Sequence, residues 1–543
     1  MILHAKSHIL WLGLIAAAWG GCTPRQEVDF ILHNARVVTL DEAGTVAEAI
    51  AVKDGRVVEV GAERQILNRY RAEEMYDAGR AVVYPGWMDG HAHLLGYALG
   101  LREVDLVGTG SWEEVVERVR AGATGSQGWL VGRGWDQNDW AVAAFPDRAQ
   151  LDAAFPDRPV VLHRVDGHAV VANGAALAAA GITGASRFTG GEVQLRPDGT
   201  PSGTLIDAAA EALIAQMPPP DEATQREALR EAEKRLRAVG LTAVVDAGLD
   251  WKDIRLIERM HADGELALRV VAMVKDSPEN LAIAERDGPL ITDRLVARAF
   301  KFYMDGALGS RGAALLEPYD DRPDWKGLML QEEADFQAKL AQTHAAGFQA
   351  ATHAIGDAAM DRVLRAYATQ LGGSNDLRWR IEHAQVMGPS DVARMRELTV
   401  FPSVQPTHAT SDAPWAGLRL GRNRLHRAYA YRDLQSVLGI LTLGTDFPVE
   451  SIDPRLTFYA ATARRNAAGE PKDGFQLDQA LSPRDALRGM TVGTALANFL
   501  EADLGSIEPG KWADFTVVDR DLLEVSPEEA RDARILRTFI AGK

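Results

Sequence analysis

Ala81-Val82-Val83-Tyr84-Pro85-Gly86-Trp87-Met88-Asp89-Gly90-His91-Ala92-His93 is a short apolar run that ends in Asp, Gly and two histidines. Its length and its β-branched and aromatic content read as a buried strand at 81–91. Seven similar runs follow, at 241–248, 268–274, 299–305, 348–353, 379–383, 400–405 and 440–446. Helical patterns lie between most of them, such as 221–239 stopped by Gly240 and 332–346 stopped by Gly347. Strands that alternate with helices build a parallel sheet, and eight such units predict an α/β fold of the TIM (β/α)8 barrel type.

Outward from the barrel, both chain ends read as β structure. Residues 28–80 hold short β-rich runs, with Asp54-Gly55 as a turn signal inside 49–60. The C-terminal end repeats this texture in Phe515-Thr516-Val517-Val518 and in 535–540. We therefore expect a small β-sandwich domain built from 22–80 and 505–543, flanking a barrel at 81–504. Residues 95–235 form an insertion with its own strands at 129–135 and 159–165 and a break at Pro218-Pro219-Pro220.

The first 21 residues carry Lys6 as their one Lys or Arg, no Asp or Glu, and an apolar run at 9–19. Gly20-Gly21-Cys22 follows. This resembles a bacterial lipoprotein signal, with Trp19 as a departure from the usual smaller residue. It implies a leader at 1–21, lipidation of Cys22 and export, to the periplasm or to a membrane-anchored state. A plain secretory leader with an incidental cysteine is the alternative.

Composition narrows the chemistry. The 543 residues carry a net charge of −17, which disfavours a nucleic-acid partner. A single cysteine excludes an intramolecular disulfide and a zinc site of several thiolates. Any metal must be held by His, carboxylate or a lysine derivative.

Barrel enzymes place their sites where strands end, at the C-terminal mouth. His91 and His93 stand at i, i+2 on an extended segment and so face one side. His353, His383 and Asp446 end later runs, and Lys301 lies within the apolar Phe300-Lys301-Phe302-Tyr303. Each alone is ordinary: an isolated strand histidine is more often a satisfied core residue. Their recurrence at matching strand ends points to one divalent metal centre.

The motifs 85–93, 301–306, Thr352-His353-Ala354-Ile355-Gly356-Asp357, Arg380-Ile381-Glu382-His383-Ala384-Gln385 and Gly444-Thr445-Asp446-Phe447-Pro448-Val449 resemble the amidohydrolase superfamily. They look most like its YtcJ-like branch, which includes N-substituted formamide deformylase. Gly132 to Asp136, Arg164 to His168 and 509–514 extend the resemblance from about residue 28 to the end.

The resemblance implies that His91, His93 and Asp446 bind one metal and His353 and His383 a second, with Zn2+ the expected ion. Lys301 would be a carboxylated bridge between two ions; left unmodified, it would leave a single-ion site. Asp446 would take the proton of the attacking water and return it to the leaving amine. Substrate contacts are expected from Trp135, His168, Asp305, Arg311 and His408, with Ser310 beside them, although each could instead shape a loop or core. The leading expectation is hydrolysis of a non-peptide C–N bond in an amide, N-acyl or N-formyl compound. A lactonase or esterase would use the same site, and a non-catalytic ligand-binding lipoprotein is the third reading. The expected partners are a small-molecule substrate, a second copy of the chain, and a membrane only through a lipid anchor.

Overall fold

The computed structural model describes residues 25–123 and 128–543, so the leader and Cys22 lie outside the described residues. Eight parallel strands form the barrel: β1 (Trp87–Ala92), β2 (Leu241–Leu249), β3 (Arg269–Lys275), β4 (Leu295–Tyr303), β5 (Gln349–Ala354), β6 (Arg380–His383), β7 (Phe401–Val404) and β8 (Thr442–Leu443). Each pairs with the next in chain order. Their residues are buried almost throughout, as expected for a parallel sheet covered on both faces. The helix Glu222–Ala238 shows how the outer layer is made. Asp221 caps it by accepting from the Thr224 N–H, and Ala228, Leu229, Ala232 and Leu236 bury one stripe against the barrel.

β8 closes onto β1 through particular contacts. The Asp446 N–H donates to the His91 carbonyl at 2.7 Å and the His93 N–H to the Phe447 carbonyl at 2.8 Å. The Asp89 carboxylate accepts from the Thr445 N–H at 3.0 Å and the Thr445 hydroxyl at 2.7 Å. The two chains approach so closely that a Cβ on Gly444 would collide with the His91 backbone, and one on Gly90 with Thr442. Glycine at both positions brings His91 and Asp446 together.

The run 81–91 is not one strand. It divides at Gly86, where a Cβ would collide with Thr242. Val82–Pro85 pairs antiparallel with Phe515–Val518 and parallel with Arg36–Val38, and only Trp87–Ala92 enters the barrel. Both halves are buried, so hydrophobicity runs through the switch of sheet without a mark. Likewise β4 begins at Leu295, ahead of the run at 299.

The chain ends make a two-sheet β unit. One sheet holds Phe30–His33, Ala49–Lys53, Arg56–Gly61 and Glu74–Asp77. The other holds Arg36–Val38, Val46–Ala47, Val82–Pro85, Phe515–Val518 and Ile535–Phe539. Phe30, Ile50, Val83, Phe515 and Phe539 share its core. Asp54 and Gly55, at φ 51° and 73°, form the expected hairpin turn. Asp514 ties this unit to the barrel through a buried pair with Arg269 at 2.6 and 3.0 Å. Trp512 lies against the guanidinium groups of Arg56 and Arg269 at 3.9 and 4.5 Å. Removing one partner of such a buried pair costs about 3–5 kcal/mol, which accounts for the acid at 514.

The insertion between β1 and β2 carries a six-stranded sheet. Leu130–Trp135 and Val160–Arg164 match the expected strands, and Val104–Asp105, Ala169–Ala172, Gly191–Leu195 and Pro201–Asp207 complete it. The segments that follow Trp135 and Arg164 reach over the barrel mouth, where they share a cavity with His353 and His383.

Candidate metal centre

Four histidines, Lys301 and Asp446 converge at the C-terminal mouth. His91, His383 and Asp446 offer ligand atoms that all lie within 4.8 Å of one another. His93 Nε2 lies 3.2 Å and His91 Nε2 3.6 Å from Asp446 Oδ1. The His353 and His383 rings sit 4.4 Å apart, and His91 and His383 4.9 Å. Lys301 Nζ lies 3.2 Å from His91 Nε2. The tightest triad thus draws on both expected ligand sets, which adjoin.

Local backbone makes this convergence. Asp446 sits at φ 61° and His383 at φ 72°, both in the left-handed region. Non-glycine residues held there cost about 1–3 kcal/mol each and cluster at functional sites. The turn at His383 breaks strand alternation, so that Glu382 and His383 both meet His91.

The donor set suits a metal. His353 Nε2, His383 Nδ1 and Asp446 Oδ1 are buried without a hydrogen-bond partner. Polar atoms of this kind are costly unless a ligand satisfies them. Burial holds His91, His353 and His383 below the ordinary imidazole range, in the neutral form that binds metal. Burial works to raise Asp446, but His93 and the other surrounding imidazoles hold it well below the usual carboxylate range. Burial pushes Lys301 down to about 8.

Glu382 carries no role in the sequence reading, yet its Oε2 lies 2.6 Å from His91 Nδ1. Arg380 Nε lies 3.1 Å from the other carboxylate oxygen. Burial acts to raise Glu382, and Arg380 and His91 outweigh it, leaving the group at about 2. A carboxylate on Nδ1 fixes the tautomer that presents Nε2 inward. Its signal was available: Arg380 and Glu382 are charges in a buried strand, costly unless paired, as Lys301 is. Glu382→Gln is expected to weaken metal affinity about 10- to 100-fold, read by competition with a fluorescent chelator. Unchanged affinity would refute the role.

The expected substrate contacts divide. His168 and His408 line the cavity above the centre, of about 290 Å³. His168 Nδ1 is 2.7 Å from Asp207 Oδ1, and its ring lies 5.2 Å from that of His353. Burial lowers His168, but Asp207 outweighs it and raises the group to about 9. Asp207 ends its strand at φ 49°, an acid after the apolar Leu205-Ile206 that the motif reading passed over. His408 stacks parallel to His383 at 5.9 Å, with Nε2 3.8 Å from Asp446 Oδ2.

Trp135, Asp305 and Arg311, also expected at the substrate, do not line this cavity, and each has other partners. Trp135 is buried in the insertion core, its indole N–H donating to the Leu162 carbonyl at 2.8 Å. Asp305 accepts three backbone N–H groups, from Ala314, Ile355 and Gly356 at 2.9, 3.0 and 2.7 Å, which pins the loops after β4 and β5 together. Arg311 pairs with Asp321 at 2.9 and 3.2 Å, and neighbouring Ser310 donates to the Ala307 carbonyl.

Comparison with known proteins agrees with this geometry. A family model described as "Amidohydrolase family" matches residues 74–543. The chain is 30% identical to putative amidohydrolase YtcJ of Bacillus subtilis, covering 94% of this chain and 98% of that one. It is 28% identical to N-substituted formamide deformylase of Arthrobacter pascens, covering 95% and 97%. Among solved structures, a metal-dependent hydrolase from Pyrococcus horikoshii superposes with a TM-score of 0.75 at 29% identity, covering 92% and 99%.

Proposed function

Since the chain belongs to the amidohydrolase family, we propose that it hydrolyses a non-peptide C–N bond of a small amide, N-acyl or N-formyl compound. One observation carries the hydrolytic reading: neutral imidazoles and an ionised aspartate converge, with unpartnered atoms, on the floor of a cavity at the barrel mouth. Likeness to N-substituted formamide deformylase favours the C–N bond over an ester.

His91, His93, His353, His383, Asp446 and a carboxylated Lys301 would hold zinc, two ions in the full site. Bound metal supplies hydroxide at neutral pH and polarises the scissile carbonyl. The protein's own groups do the rest. Asp446 accepts the proton of the attacking water and passes it to the leaving nitrogen. Glu382 holds His91 in register. Asp207 holds Nδ1–H of His168, which leaves Nε2–H to bond the substrate oxygen as negative charge develops there. The products are a carboxylate and an amine.

Zinc-loaded protein is expected to hydrolyse members of a panel of N-formyl and N-acyl amines and N-acyl amino acids, with parallel esters and lactones as the competing class. Failure to bind any divalent metal and to cleave any of these would refute the reading. Preference for the esters would move the assignment to a lactonase or esterase. We propose further that the protein is exported, is lipidated at Cys22 and acts as a homodimer, the last read by light scattering as a mass of two chains. Cys22→Ser is expected to move it from the membrane to the soluble fraction; unchanged fractionation would refute the anchor.

A further inference from the structure

We infer that the cavity above the metal centre selects a substrate that carries a positive charge, an ammonium or guanidinium group a few bonds from the scissile carbonyl. This rests on the hydrolase reading above. The floor of the cavity is formed by His353, His383 and Asp446, each more than nine-tenths buried and each with an unpartnered polar atom. A ligand that reaches the centre through this cavity therefore passes its walls.

Three carboxylates from separate elements stand in those walls. Asp139 comes from the insertion, at the end of the short turn Gln137–Asp139. Asp412 comes from the helix Pro406–Leu420 that follows β7, and Glu450 from the loop after β8. Among the described residues, none of the three has an ion-pair partner within 4.0 Å. Asp412 accepts from the Tyr429 hydroxyl at 2.7 Å and Gln385 Nε2 at 3.3 Å, and Glu450 from the Ser411 hydroxyl at 2.6 Å. These donors are neutral. The guanidinium in the same wall, Arg164, is already engaged by Asp136, Asp166 and Gln137. Burial raises all three acids, Asp412 to about 7, by more than His408 lowers Asp412 and Glu450 and Arg164 lowers Asp139. A cation in the cavity would relieve that cost.

The geometry favours an organic cation over a second metal site. Among the described residues, the one group of His, Cys, Asp and Glu with ligand atoms within 4.8 Å of one another is His91, His383 and Asp446. The three wall carboxylates do not converge to chelate an ion. They surround a space also lined by Leu308, Val165, Val449 and Trp415, which suits an alkyl chain that ends in a charge. The polarity belongs to this lobe. The larger cavity beyond His168, of about 490 Å³, mixes Arg133, Lys275 and Lys339 with Glu211 and Asp276.

The test compares N-acetyl-1,4-diaminobutane, N-pentylacetamide and N-acetyl-4-aminobutanoate as cationic, neutral and anionic amides of similar length. A parallel ester series uses 3-(trimethylammonio)propyl acetate and 4,4-dimethylpentyl acetate. With zinc-loaded protein, kcat/KM is expected to favour the cationic amide about 10- to 100-fold over the neutral one, the range of a charge-assisted hydrogen bond, and the cationic ester, which has no N–H to donate, in the same direction. The anionic amide should be poorest. In the Asp412→Asn/Glu450→Gln variant the cationic-to-neutral ratio should fall towards one at unchanged zinc content. Asp139→Asn, at the exposed rim, should lower the same ratio and serves if the double variant does not fold. Equal rates across charges, or a ratio that the variants leave intact, would overturn the inference. Cleavage of neither series would count against the hydrolase reading instead. Calorimetric binding of the same compounds then still reads the charge preference, and equal affinities would overturn it.

Discussion

Asp446→Asn is expected to lower kcat by about 10²- to 10⁴-fold, the usual worth of a positioned general base, while the far-ultraviolet circular dichroism spectrum stays that of the wild type. Asparagine is the informative substitute because Asp446 sits at φ 61°, a conformation that Asn tolerates and most side chains resist. The backbone hydrogen bond from Asp446 N–H to His91, which helps close the barrel, survives the change. The amide oxygen can still face His93, whose Nε2 lies 3.2 Å from the carboxylate. What the amide cannot do is take up a proton and release it. Metal content measured on the same sample separates the two tasks of the residue. Turnover lost at wild-type metal content assigns proton transfer to Asp446; turnover lost together with the metal assigns it to ligation. Near-normal turnover would sink both.

The contrast between Asp446 and Trp135 shows what the sequence could convey about this site. Strand ends were legible because barrel architecture gives them a fixed meaning: the last residues of an apolar run face the mouth. His91, His353, His383 and Asp446 obey that rule and meet in space. Trp135, Asp305 and Arg311 stand beside motif residues in the chain, but adjacency in sequence does not decide which way a side chain turns. Trp135 turned into the insertion core, Asp305 onto three backbone amides and Arg311 onto Asp321. Glu382 was legible as a charge in a buried strand, but its partner was not. Alternation places it across the strand from His383, and only the left-handed turn at His383 brings both to His91. The split of 81–91 at Gly86 was hidden because burial continues on both sides of it. The charge of the cavity wall was beyond a linear reading altogether, since Asp139, Asp412 and Glu450 come from separate elements, the first hundreds of residues from the other two, and acquire a common meaning only where those elements converge.

Lys301→Ala is expected to reduce bound zinc from two ions per chain to one and to lower kcat/KM about 10²-fold or more. A metal ion that stabilises transition-state charge is worth several kcal/mol, and about 1.4 kcal/mol corresponds to each factor of ten. The expectation follows from where the structure puts the lysine. Its Nζ is buried, 3.2 Å from His91 Nε2 and 4.6 Å from the centre of the Tyr303 ring. An ammonium at this place faces a desolvation cost and competes with any cation bound by His91. Loss of one proton from that ammonium frees the amine lone pair, which adds to carbon dioxide; an N–C bond forms as one C–O π bond opens, a second proton leaves the nitrogen, and a carboxylate replaces the ammonium. The same side chain would then offer a carboxylate beside both histidine sets, whose rings already lie within 4.9 Å of each other. Native mass spectrometry at neutral pH should show the added carbon dioxide on the wild type and its loss on acidification. Lys301→Met separates ligation from cavity filling: it restores side-chain volume without a ligand, so it should match Lys301→Ala in zinc content while folding more stably. A wild type with one zinc and an unmodified Lys301 would replace the two-ion site with a single-ion one. Asp446 would then remain the proton carrier, and Lys301 would be a buried base held against the aromatic face of Tyr303.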